Sequence, residues 1–123
     1  MKWSIDARIP LVTTADPTAL AAALAQGKPA AVLAEAPPPD LPEGAVALVS
    51  FDVSGPTHAA SCACCAGRSA AAAALDRLFQ ARVRGACGWF DRVVALAETE
   101  AARAEIAAAL REDAVTAARF RPG

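Results

Sequence analysis

Ala45-Val46-Ala47-Leu48-Val49-Ser50-Phe51-Asp52-Val53 is nearly continuous in apolar residues over its first half and alternates over its second. Such a run suits a β-strand covered on both faces. Ser54-Gly55-Pro56-Thr57-His58 then breaks the pattern. From Ser69, a good N-cap, to about Arg84 the spacing becomes helical, with Leu75, Leu78, Phe79 and Val83 on one face and Arg77, Gln80 and Arg84 largely away from it. Gly85 and Gly88 close that helix, and Phe90-Asp91-Arg92-Val93-Val94-Ala95-Leu96-Ala97 reads as another buried strand.

Upstream, Arg8 to Thr14 is a short β-prone run, with Pro10 setting it near a strand start or an edge. Asp16-Pro17 supplies an N-cap and a first-turn proline for a helix that carries Leu20 and Leu24 on one face and ends at Gly27. Pro29 to Ala34 is a second short apolar run. The proline-rich stretch from Ala36 to Pro42 is neither helix nor central strand. Downstream, Glu98 to Arg111 is a helix with Ile106 and Leu110 inward, and Asp113 to Phe120 is a last short helix before Pro122-Gly123. The order is strand, helix, strand, strand, helix, strand, helix, helix. Alternation of this kind predicts an α/β fold, a small three-layer sandwich with a mostly parallel sheet and right-handed crossovers. A hairpin across the proline loop is the alternative for the two strands between residues 30 and 53.

A length of 123 residues fits one domain, residues 1–123, with one hydrophobic core. The hydrophobic fraction of 55% is inflated by alanine and aromatics are only 5%, so Leu, Val, Ile and a few Phe and Trp must build the core and stability should be modest. Twelve basic and thirteen acidic residues leave a formal charge of −1 with no basic run, which argues against a nucleic-acid partner. The first eight residues interleave charged and apolar side chains, unlike a signal peptide, and no segment approaches the roughly 20 apolar residues of a membrane span. The expected location is therefore cytoplasmic.

Three of the four cysteines lie in Cys62-Ala63-Cys64-Cys65, followed by Ala66-Gly67-Arg68-Ser69. In a reducing compartment clustered cysteines read as metal ligands or reactive thiols, and adjacent Cys64 and Cys65 make a strained bridging pair. Zinc prefers four tetrahedral nitrogen or sulfur donors, and copper(I) also suits thiolates. His58 is the candidate fourth ligand, with water, a carboxylate or a second chain as alternatives. A redox reading draws on the same residues, because Arg68 and the start of the helix near Ser69 would both lower a thiol pKa. Cys87 should lie about 25 Å away at the far end of that helix, at 1.5 Å per residue, and so outside the cluster.

From Cys62 onward the chain resembles the CobW-like metallochaperone GTPases of the P-loop superfamily. Cys62-Ala63-Cys64-Cys65 is similar to their C-x-C-C signature, which follows a strand and opens a long helix. Arg84-Gly85 and Trp89 to Val94 resemble the end of that helix and the next strand, Glu98-Thr99 a Glu-Thr-Thr-Gly segment, and Asp113 to Arg121 the helix after it. The resemblance implies a degenerate P-loop-NTPase-like, Rossmann-like fold and a metal at the cysteine turn. The family's G-x-x-x-x-G-K-[ST] loop is missing: Thr14-Ala15-Asp16-Pro17-Thr18 stands in its place, with an aspartate where phosphates would want a cation. Nucleotide binding and GTP hydrolysis are therefore not expected, and the chain stops where the family would enter its next strand.

The expectation is a non-catalytic protein that handles or senses metal, with zinc as the default ion, through Cys62, Cys64, Cys65 and His58. A thiol redox sensor and an interaction module are the alternatives, the latter because a sheet truncated after the Phe90 strand would expose an edge for a homodimer or a protein partner. Glu98, Thr99 and Asp16 read as helix caps, with Thr99 capping a helix from Glu100, and Trp3 and Trp89 read as packing residues.

Overall fold

A computed structural model describes residues 7–35, 40–53 and 69–123. Among them are strands β1 (Ile9–Thr14), β2 (Ala30–Ala34), β3 (Ala45–Ser50), β4 (Arg92–Leu96) and β5 (Phe120–Pro122), with helices α1 (Pro17–Leu24), α2 (Ala70–Arg84), α3 (Glu100–Glu112) and α4 (Ala114–Arg119). The strands form one sheet in the order β3-β2-β4-β1-β5, and every pairing is parallel. The expected α/β sandwich is thus present, with the sheet wholly parallel among the described strands.

Chain order and crossover hand together explain the layers. The steps from β1 to β2 and from β2 to β3 move toward one edge of the sheet, and the steps to β4 and to β5 move back. Right-handed crossovers therefore put α1 on one face and α2 and α3 on the other. The core divides accordingly. Leu20 and Leu24 of α1 pack with Ala30, Val32, Ala34, Val94 and Leu96. Leu75 and Leu78 of α2 and Ile106 of α3 pack with Leu11, Leu33, Val93 and Phe120. Alanines take a structural part here: Ala71, Ala74 and Ala102 are fully buried, and their short side chains let α2 and α3 lie close on the sheet.

The fully covered strands are β2, buried throughout, and β4, whose residues from Val93 to Leu96 are buried. The strand expected over residues 45–53 is shorter and less buried than its apolar run suggests: β3 ends at Ser50, lies at an edge, and is only partly buried along its length, although its side chains meet both layers. Its apolar run arises because Ala45 and Leu48 meet one layer and Val46, Ala47 and Val49 the other, each from one side only. The hairpin alternative is excluded, since β3 pairs with β2 in parallel. Ala30 faces Ala45 and Ala31 faces Ala47, so Val46 is an extra residue, a bulge.

Two boundaries and the facing of one residue also differ from expectation. Helix α1 stops at Leu24 and not at Gly27, and the Arg92 guanidinium closes its end by donating to Ala23 O at 2.8 Å and to Lys28 O at 2.9 Å. Val83 does not face the core and is 62% exposed. The inward stripe of α2 runs through Ala71, Leu75 and Leu78, and its next step of four residues falls on Arg82. At the C-terminus Phe120 leaves the helix and opens β5, pairing with Ile9. Its ring is buried and meets Phe79 edge-to-face at 6.2 Å, a contact a helical continuation toward Pro122 would forgo. The Phe90 strand is consequently not an edge: β4 lies between β2 and β1, and the edges are β3 and β5. No helix among the described residues is long and apolar enough to cross a membrane.

Candidate functional site

In a parallel sheet every strand delivers its following loop to the same edge, the carboxyl edge, where α/β proteins hold ligands. Here that edge gathers the β1–α1 turn, Glu35 after β2, the exit of β3 toward residues 54–68, and the β4–α3 turn. The strand ends are tied together. Thr14 Oγ1 donates to Ala95 O at 2.7 Å from a buried position, Ala97 N donates to Thr14 O at 2.9 Å, and Glu35 N donates to Leu96 O at 3.0 Å.

The helix N-termini at this edge carry amides that favour anions. Each of the three longer helices has a side-chain oxygen of this chain seated there. In the β1–α1 turn, the Asp16 carboxylate accepts from Ala19 N at 2.8 Å, with Pro17 fixing the first turn. This is the turn where the resemblance would put a phosphate loop. At the β4–α3 turn, Thr99 Oγ1 accepts from Ala102 N at 3.1 Å. The Glu35 carboxylate then covers the same turn: Oε1 accepts from Glu98 N at 3.1 Å and Thr99 N at 3.2 Å, and Oε2 accepts from the Thr99 hydroxyl at 2.7 Å. At α2, Ser69 Oγ accepts from Ala72 N at 3.1 Å, and Glu105 Oε2, reaching across from α3, accepts from Ala71 N at 2.9 Å. An incoming phosphate would have to displace a carboxylate at each of these turns.

The cap readings of Asp16, Thr99 and Ser69 therefore hold. Sequence reasoning missed Glu35 and Glu105, which lie far along the chain from the amides they cover and stand outside any local motif. Glu98, expected with Thr99 at this edge, is exposed and contributes its backbone amide.

The expected metal ligands Cys62, Cys64, Cys65 and His58 lie outside the described residues, as does Trp3. The last described residue before these ligands is Val53, just past β3, and the first after them is Ser69, the N-cap of α2. Among the described residues no three His, Cys, Asp or Glu side chains gather closely enough to hold a metal ion. Cys87 is a free, half-buried thiol packed against the core beyond the C-terminus of α2. The intervening helix of 15 residues spans about 22 Å.

The opposite end of α2 carries a second polar construction. Arg82 Nε donates to Phe90 O at 2.8 Å, and its guanidinium stacks on Trp89 at 3.6 Å from the ring centroid. Desolvation lowers the Arg82 pKa, and the nearby Asp91 carboxylate partly offsets that shift. Trp89 packs one side of its ring on this cation yet remains 59% exposed, so it is a packing residue only in part.

Comparison with protein-family models, curated proteins and solved structures gives no match for this chain. The functional reading therefore stands on the residues themselves.

Proposed function

We propose that this chain is a non-catalytic metal-binding protein resembling a degenerate CobW-like domain, holding zinc through Cys62, Cys64 and Cys65 with His58 as fourth ligand. The observation that carries the reading is the placement of three cysteines within four positions on the connection between β3 and α2. Soft thiolate donors at that density favour zinc or copper(I) over hard cations. A role in metal handling or sensing needs a bound ion and no bond cleavage.

The state of the neighbouring turns supports a site without a nucleotide. Asp16 occupies the β1–α1 turn and Glu35 the β4–α3 turn, each a negative charge on amides that a triphosphate would otherwise engage. Glu105 and Ser69 already occupy first-turn amides of α2, which weakens the field there for a thiolate in the metal reading and the redox reading alike.

The test is elemental analysis of protein purified anaerobically, followed by zinc titration. Close to one equivalent of tightly held zinc or copper is expected, and it should be absent when Cys62, Cys64 and Cys65 are all changed to Ser. Protein that holds almost no metal and takes up none on titration would overturn the proposal.

A further inference from the structure

No further inference is drawn: the strongest candidate, the apolar groove of about 600 Å³ between α3 residues Ile106 and Leu110 and the part of β1 beyond its pairing with β5, is an unpartnered surface, and nothing in the structure shows what covers it.

Discussion

Glu35, itself half-buried, makes three hydrogen bonds through one carboxylate, and all three converge on the exposed turn that launches α3. Water competes at an exposed site, so the net worth of the set is well below the sum for buried charged bonds. Glu35→Ala should cost about 1–2 kcal/mol in urea unfolding. Glu35→Gln should cost less, because the amide oxygen still accepts from the turn. Equal stability of wild type and the Ala variant would show that the clamp is decorative. At Arg82 the donor geometry is that of a fork, with Nε on Phe90 O and the plane on Trp89, so Arg82→Lys should not restore what Arg82→Ala loses, about 1–2 kcal/mol. Trp89 fluorescence should shift in both variants, and an unchanged spectrum would place the indole elsewhere in solution. These residues also mark what the sequence could disclose. Asp16, Ser69 and Thr99 were legible because each caps an amide three residues away. Glu35 and Glu105 act across 63 and 34 residues, a distance at which no local pattern links donor to acceptor.

At the scale of elements, the edges show how a small parallel sheet limits pairing with other chains. β5 is three residues long and contains Pro122, which lacks an amide proton; β3 carries the Val46 bulge, and Arg77 donates to Ser50 O at 3.1 Å. β5 holds its place through Phe120, buried against Phe79, while Arg119 joins α4 to α2 through Asp76 and stacks over Phe79 at 4.2 Å. Phe120→Ala should therefore cost about 3–5 kcal/mol and release β5, seen as faster amide exchange at Gly123, whose N–H donates to Leu11 O. Loss of stability without that local exchange would mean that the ring supports the core and not the strand. Most elements were readable because periodicity and caps agree: Ser69 with Gly85 in the left-handed region at φ 72° brackets α2 almost to the residue. β5 was not readable, since three residues carry no period. The rank of β3 was not readable either, since an apolar run reports contact on two faces and does not say whether a neighbour stands on both sides.

At the scale of the whole molecule, metal binding and folding should be linked, and the degree of linkage is itself informative. A ligand that binds only the folded chain adds about 2.7 kcal/mol at a hundredfold excess over Kd, which for a domain of this size corresponds to roughly 10 °C in Tm. Cys62, Cys64 and Cys65 are neighbours in sequence, however, so an unfolded chain keeps the same three donors within reach and the gain must be smaller. What folding adds is the fixed frame at either end, Val53 beyond β3 and Ser69 on α2, the latter held by Glu105 through Ala71. Zinc should thus raise the Tm of the wild-type chain by several degrees and not by the full amount. The triple change of Cys62, Cys64 and Cys65 to Ser should abolish the rise, His58→Ala should reduce it, and Cys87→Ser should leave it intact, because Cys87 lies past the other end of α2. The rise should also fade as pH drops below the thiol range, near about 8.5 for a free cysteine, since each thiol must shed its proton to bind. Calorimetry of these four proteins with and without zinc measures all of this at once. A zinc-dependent rise that survives the triple change would move the site away from the cysteine turn, and a rise lost only with Cys87 would move it to the opposite end of the sheet.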